Sequence, residues 1–257
     1  MKRKEIISEL KRTAQRLNKS PTRREIPSKL NYNCIKKFGS FNNAKIKADL
    51  NIYSVRCDKL PKKSYKLDKD LVRLVSYLTF DGHLYKTLKG FLLVSKDKEP
   101  LKEFEILIKN KFGETGVYKK GMGFGESINY RVYNLKIGKF LNDCGTPKGN
   151  KVLTEFRVPE WIKNNKEFVK EYLNIAFYCK GCMEKKNRPN PRISFNINKS
   201  EKLIKNGILF MNDLKDMLKC FDINTTPVGI TKGNTRKDGN ITKMLRFRVL
   251  TEDNNKF

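Results

Sequence analysis

The sequence predicts an α+β protein built from two similar halves and preceded by a small all-helical segment. Three observations support this prediction. The first 50 residues show apolar spacing of helical period, without the alternation that is typical of strands. From about residue 67 onward, helical and strand patterns are mixed. The order helix, hairpin, helix, hairpin then occurs twice along the chain, which indicates a duplicated architecture.

The N-terminal segment, residues 1–53, is expected to form short helices. Apolar residues recur at helical spacing from Ile6 to Leu17, which predicts an opening helix. After a break at 20–22 we expect a second, short helix through Arg24 and Ile26, then helices over 32–38 and 41–50. Short helices joined by tight turns are typical of a helix-turn-helix-like unit. The basic residues near these turns are candidate DNA contacts: Arg23, Arg24, Lys36 and Lys37.

Residues 54–66 are predicted to be a basic linker. They lack apolar periodicity and include Pro61 followed by the pair Lys62-Lys63. Residues 1–66 carry 19 Lys or Arg residues against 5 Asp or Glu residues, so about half of the excess positive charge lies on about a quarter of the chain. Such a linker would follow phosphates rather than fold by itself.

The first half of the duplicated part covers residues 67–165. An apolar helix over 67–80 ends at Asp81-Gly82, and a hairpin follows with its turn at Lys89-Gly90 and a strand over 91–94. A second helix ends near residue 112. Strands are expected near 117–120 and over 128–137, followed by a short helix from Lys139.

The second half covers residues 166–257 and repeats this order. A helix over 166–180 ends at Gly181, a strand follows over 192–198, and apolar spacing predicts another helix over 204–221. Strands are expected near 226–231 and 241–250. This half lacks the terminal helix of the first.

Polar and apolar residues alternate on the predicted strands, which gives each strand one polar face. The alternation is clean over 192–198 and 245–249, and Tyr130 and Asn134 make it less clean over 129–133. Side chains of these types suit base edges and phosphates, although a solvated sheet face is the commonest meaning of such a pattern. The candidate DNA contacts are Arg192, Ser194, Asn196, Asn198, Arg246, Arg248, Asn129, Arg131 and Tyr133.

The net charge of the chain points to a partner with a phosphate backbone. The 257 residues carry a formal net charge of +29, and the sequence pI is about 9.9. A lysine-rich thermophilic composition is the alternative, but it normally pairs lysine with glutamate, whereas here 56 basic residues face 27 acidic ones. No segment resembles a signal peptide, a membrane span or a basic amphipathic anchor, so we expect a soluble, cytoplasmic protein.

Cysteine usage fits reduced thiols in a cytoplasmic protein. Cys179 and Cys182 have the spacing of half a zinc site, but a second pair is missing and His83 is the only histidine. We therefore favour packing thiols over a zinc site.

The segment 74–82, Leu-Val-Ser-Tyr-Leu-Thr-Phe-Asp-Gly, is the most informative motif. Asp-Gly is a common helix stop, yet here it closes an apolar helix whose C-terminal dipole disfavours a carboxylate. The segment resembles the LAGLIDADG motif of homing endonucleases, with Asp81 at the acidic position. Two further runs, 144–151 and 158–162, resemble the junction between repeats in single-chain members. Residues 20–25, 38–41 and Ala44 look like the helical repeat often attached to these enzymes.

This resemblance implies a mechanism for the two halves. In that family the two motif helices pack side by side at the centre of the molecule, and each presents one acidic residue. The acidic pair binds divalent metal ions, usually magnesium, which activate water and stabilise charge on the phosphate. The antiparallel sheet of each repeat lies in the major groove as half of a DNA-binding saddle. The repeats would then be 67–165 and 166–257, and two repeats in one chain favour a monomer.

The second motif departs from the family pattern at its acidic position. Lys180 stands where the second acid should be, and Ile175 replaces a small residue at the helix contact. An ammonium cannot bind a metal ion, and Glu184 in the following turn is a weak substitute. Asp81 thus remains as the one candidate catalytic and metal-binding residue. Three functions stay open: an endonuclease that nicks one strand, a DNA-binding protein without chemistry, and an RNA-binding splicing cofactor.

Overall fold

The computed structural model describes residues 1–23, 25–50, 66–121, 126–184 and 191–256. The described residues fall into two compact units, one drawn from Met1–Lys59 and the other from Leu60–Phe257. Arg24 and residues 54–65 of the predicted linker lie outside the described residues.

The N-terminal unit is helical. Its helices are α1 (Arg3–Leu17), α2 (Ser28–Phe38) and α3 (Phe41–Lys47). The short helix predicted through Ile26 is absent from the described residues, because Thr22 and Glu25 form a turn in which the Glu25 N–H donates to the Thr22 carbonyl at 3.1 Å. The helices enclose a small core: Ile6, Leu10, Ile26, Leu30, Cys34, Phe41, Ala44 and Ala48.

The larger unit is α+β and contains the same order of elements twice, as predicted. The first copy consists of α4 (Lys69–Phe80), β1 (Gly82–Leu84), β2 (Phe91–Ser95), α5 (Lys98–Phe112), β3 (Val117–Lys120), β4 (Ile128–Val132) and α6 (Leu135–Asp143). A connecting helix α7 (Glu160–Lys163) leads to the second copy, which consists of α8 (Lys166–Lys180), β5 (Gly181–Glu184), β6 (Arg192–Ser200), α9 (Ile204–Lys219), β7 (Gly229–Thr235) and β8 (Ile241–Arg248). In place of a terminal helix, the second copy ends in a short 3-10 helix, Thr251–Lys256.

Each copy forms one four-stranded antiparallel sheet with the same strand order. The first sheet runs β1-β2-β4-β3, and the second runs β5-β6-β8-β7. The two copies are therefore equivalent in topology, which confirms the predicted duplication.

One strand prediction was too long. The strand expected over 128–137 ends at Val132, and α6 begins two residues after Tyr133. Asn134 causes the change, because its side-chain oxygen accepts from the N–H groups of Lys136 and Ile137 and so caps the helix.

Helices cover one face of each sheet and leave the other open. In the first sheet, Phe104 of α5 packs edge-on against Phe91 and Tyr130, all three fully buried. In the second, Phe177 of α8 contacts Phe195 and Phe247. One continuous apolar core joins the two copies. None of the described helices is both long and apolar enough to span a membrane.

Candidate nucleic-acid interface and central ion pair

Helices α4 and α8 lie side by side and run in the same direction. Side-chain contacts link them at successive levels, and the residue numbers rise together on both helices. The contacts are Lys69 with Glu167 at 2.8 Å, Arg73 with Glu171 at 2.5 Å, Ser76 with the Tyr172 carbonyl at 3.0 Å, and Asp81 with Lys180 at 2.5 Å. This parallel register brings the C-terminal ends of both motif helices together.

Small side chains allow the two helices to approach closely. Ser76 and Ala176 are both completely buried in this region, and the Ser76 hydroxyl donates to the Tyr172 carbonyl. Ile175, the bulky residue noted in the second motif, is also buried, so the contact accommodates it beside Ala176.

Asp81 and Lys180 form an ion pair at the paired helix ends. Asp81 is the C-cap of α4, and its N–H donates to the Tyr77 carbonyl at 3.1 Å. Its carboxylate Oδ1 lies 2.5 Å from the Lys180 Nζ, with the two side chains 32% and 39% exposed. A carboxylate is unfavourable at a helix C-terminus, and the ammonium of Lys180 offsets that repulsion. Lys180 thus occupies the predicted second acidic position and neutralises the remaining acid.

Lys151 lies beneath this ion pair and was not identified from the sequence. Its Nζ donates to the carbonyls of Leu78, Phe80 and Gly82 at 3.3, 2.7 and 2.7 Å. These carbonyls close α4, so a cation there is favoured by the helix dipole. Burial lowers the pKa of Lys151 to about 7, and the nearby positive charge of Lys180 contributes.

A second lysine, Lys199, is 1% exposed and extends this network to the sheet. Lys199 of β6 donates to the carbonyls of Lys151 and Thr154 at 3.0 and 2.6 Å, and its Nζ lies 3.9 Å from the centre of the Phe156 ring. Burial lowers the pKa of Lys199 to about 8. Hydrogen bonds from these two ammonium groups therefore link β6, residues 151–154 and the C-terminal end of α4.

A cavity of about 240 Å³ opens next to the ion pair. Its polar lining includes three lysines and two asparagines: Lys151, Lys180, Lys199, Asn196 and Asn198. The cavity thus connects the helix ends to the polar residues of β6.

The residues present do not fit the divalent metal site that the family resemblance implies. The carboxylate of Asp81 is held by an ammonium, and a metal ion at the same place would be repelled by Lys180. Within residues 1–23, 25–50, 66–121, 126–184 and 191–256, no cluster of three or more His, Cys, Asp or Glu side chains is positioned to hold a metal ion. Glu184 lies in strand β5 opposite Arg192 rather than in a turn, and its side chain is exposed.

The cysteines differ in their surroundings. Cys34 and Cys144 are buried, as expected of packing thiols, whereas Cys182 and Cys220 are exposed. Burial raises the pKa of the Cys179 thiol, and the neighbouring charge of Asp81 raises it further. The surroundings of Cys179 beside the ion pair thus favour its protonated form.

The second sheet presents most of the predicted polar residues on its open face. Strand register places Asn196 opposite Arg246 and Ser194 opposite Arg248. Arg246 is half-buried, and its Nε donates to the Asn196 Oδ1 at 2.5 Å, which fixes the guanidinium on the sheet. Three further members of the predicted set are exposed: Arg192, Asn198 and Arg248.

Two predicted contact residues are buried instead of exposed. Ser194 is 2% exposed, and its hydroxyl has no hydrogen-bond partner among the described residues. Asn129 is 3% exposed, and its Oδ1 accepts from the Arg131 Nε at 2.5 Å. Short side chains lie beneath longer neighbours on a pleated sheet, so these two residues are not at the solvent surface. Asn129 instead positions Arg131.

The remaining predicted contacts lie at the surface of their own units. Tyr133 is 51% exposed just beyond β4, and a hydrogen bond with Arg131 lowers its pKa. In the N-terminal unit, Arg23, Lys36 and Lys37 are exposed, and the Lys36 ammonium lies over the Tyr32 ring at 5.7 Å.

Residues 1–51 match the family model described as the homing endonuclease associated repeat. Among curated proteins, the chain is 29% identical over 193 residues to the DNA-directed RNA polymerase subunit Rpo1N of Methanocaldococcus jannaschii, which covers 68% of this chain and 14% of that protein. It is 35% identical over 106 residues to the tRNA-splicing ligase RtcB of Methanopyrus kandleri, which covers 40% of this chain and 11% of the ligase. Because the chain spans so small a part of these relatives, their activities are not assigned to it.

Solved structures with a similar order of elements include LAGLIDADG proteins. A crystal structure of I-DmoI in complex with DNA and Ca aligns with a TM-score of 0.46 and 14% identity over 74% of this chain and 86% of that one. The N-terminal LAGLIDADG domain of DUF199/WhiA aligns with a TM-score of 0.43 and 10% identity over 78% and 89%. Such distant likenesses assign no function. With its two copies of one αββαββ unit, paired motif helices and the associated repeat at residues 1–51, the chain is a protein similar to the LAGLIDADG homing endonucleases.

Proposed function

We propose that this protein binds duplex DNA on the open faces of its two sheets and does not cut both strands. The observation that carries the proposal is the ion pair between Asp81 and Lys180 at the centre of the paired helices. It supports binding because position 180 places an ammonium, instead of a second carboxylate that would repel phosphate, beside the polar strands. It argues against double-strand cleavage because one of two required acids is replaced by an ammonium.

Charge and surface chemistry support DNA as the partner. The net charge of +29 provides the sequence-independent attraction to phosphates that dominates protein–DNA affinity. Arg246, held by Asn196, presents a fixed guanidinium of the kind that contacts guanine or phosphate. The match of residues 1–51 to a homing endonuclease associated repeat is consistent with a second DNA contact through the helix-turn-helix-like unit.

A divalent metal would be needed for hydrolysis by the family mechanism, and Asp81 is the one motif acid left to hold it. While Asp81 is paired with Lys180, it has no free negative charge to offer a cation. The geometry thus favours the binding protein over the nicking enzyme. Two repeats in one chain supply both halves of the DNA surface, so we propose that the protein acts as a monomer.

Supercoiled plasmid incubated with the protein in Mg²⁺ or Mn²⁺ tests this function. We expect a shift in plasmid mobility caused by binding, with no linear product. Linear DNA that disappears in the Asp81→Asn variant would contradict the proposal, and nicked DNA that disappears in this variant would reinstate the nicking enzyme. Structured RNA that competes better than duplex DNA would replace DNA as the partner.

A further inference from the structure

We infer that the Lys180 ammonium binds a DNA phosphate where the family has a metal ion. In the protein without DNA, Asp81 holds this ammonium in an ion pair. The inference rests on the proposed DNA binding and adds a specific contact to it. It follows from the juxtaposition of the ion pair, the cavity and the polar residues of β6.

The three lysines that line the cavity have different partners. Lys151 and Lys199 donate to backbone carbonyls, which hold their ammonium groups in the protein interior. Lys180 instead pairs with a side chain and is 39% exposed. Lys180 is therefore the cavity lysine that can turn toward a ligand without leaving buried carbonyls unpaired.

The other side chains at the cavity suit a phosphodiester. Asn196 and Asn198 extend from the polar face of β6 to the cavity wall, and amide groups can donate to phosphate oxygens. Lys199 adds positive potential at neutral pH, and Lys151 adds it at and below about pH 7, without competing for the ligand. A phosphate oxygen at the cavity mouth would be a charge-assisted acceptor for the Lys180 ammonium.

The exchange of partners is feasible because the ion pair is accessible to water. Pairs exposed to this degree contribute little to stability and are screened by salt, so a phosphate can compete for the ammonium. After the exchange, Asp81 would repel the phosphate from close range. Asp81 should thus weaken DNA binding, which is the opposite of what a metal-binding acid does in the presence of its metal.

A double-mutant cycle in the full-length chain tests the inference. The assay is fluorescence anisotropy of a mixed-sequence DNA duplex in excess EDTA, over a range of salt concentrations. Lys180→Met should lower affinity roughly three- to tenfold and reduce the salt slope by about one. Asp81→Asn should raise affinity several-fold. This gain should be smaller when Lys180 is already methionine, because only the general relief of charge repulsion then remains and no ammonium is freed.

Two matched variants complete the design. Lys180→Arg keeps the charge, so it should keep both affinity and salt slope. Lys109→Met removes an equal charge from the exposed surface of α5, which packs on the covered side of its sheet, so its loss of affinity should be smaller. Circular dichroism confirms that each variant is folded.

The outcomes separate the inference from the proposed function. Absence of DNA binding by the unmodified protein would overturn the proposed function itself. Two results would overturn the inference and leave DNA binding intact. One is DNA binding that requires Mg²⁺. The other is an Asp81→Asn gain in affinity that is the same whether residue 180 is lysine or methionine.

Discussion

Lys151 and Lys199 show how individual residues shape the centre of this protein. Both ammonium groups are withdrawn from water and surrounded by carbonyl oxygens. Buried lysines are rare, because the charged form loses its hydration, and burial is the main cause of the lowered pKa in both cases. The charge on these two side chains, and with it the strength of their hydrogen bonds, therefore depends on pH.

The pH dependence of stability provides a test at Lys199. Its pKa falls from 10.5 to about 8 on folding, so between these values the unfolded chain binds more protons than the folded one. The free energy of unfolding should therefore rise with pH across this window, by at most about 3 kcal/mol from this residue. Lys199→Met should lack that rise, so its destabilisation should grow from pH 8 upward.

Urea unfolding at several pH values measures this difference. The exposed Lys202→Met variant serves as the control, since it removes an equal charge from the surface and should follow the unmodified protein. A constant difference between Lys199→Met and the unmodified protein at all pH values would show that Lys199 is fully charged in the folded state.

Some site residues could be predicted from the sequence and others could not. Lys180 was found because a motif fixes the spacing of its neighbours, and the polar residues of β6 were found because alternation reveals strand faces. Lys151 and Lys199 gave no local signal, since a buried lysine and a surface lysine look alike in a basic chain. Their roles depend on contacts with residues distant in sequence.

At the scale of elements, the close contact of α4 and α8 determines the geometry of the centre. Ser76 and Ala176 are both completely buried, and the Ser76 hydroxyl donates to the Tyr172 carbonyl across the contact. The parallel register set by this contact places Asp81 next to Lys180.

Enlarging the helix contact should destabilise the protein. Ala176→Leu keeps helix propensity but inserts three carbons into a packed interface, which we expect to cost about 1–3 kcal/mol. Asn174→Leu, on the exposed side of α8, should change stability by no more than about 0.5 kcal/mol. Denaturant midpoints of the two variants give the comparison, and equal midpoints would show that the interface is loosely packed.

Most elements of the duplicated part were predictable because long apolar periods dominate them. Helix α8 begins and ends where its apolar pattern indicates. The errors had two causes, a polar side chain that ends a strand and a strand that carries no alternation. Asn134 ends one strand by capping α6, and β5 was missed because four exposed residues carry no alternation.

At the scale of the whole molecule, charge governs the expected behaviour toward nucleic acid. If about eight phosphates are neutralised on binding, the logarithm of affinity should fall against the logarithm of salt concentration with a slope near −7. Anisotropy titrations from low to high salt measure this slope. A nearly flat response would contradict groove binding driven by the net charge of +29.

The chain of lysine contacts has a mechanical consequence. Lys199 lies on β6, the strand that carries the polar side chains, and donates to the carbonyls of Lys151 and Thr154. The side chain of Lys151 in turn donates to the Phe80 carbonyl at the end of α4. Strand and helix cannot shift independently without breaking these links. A ligand that displaces the second sheet should therefore also displace the C-terminal ends of the central helices.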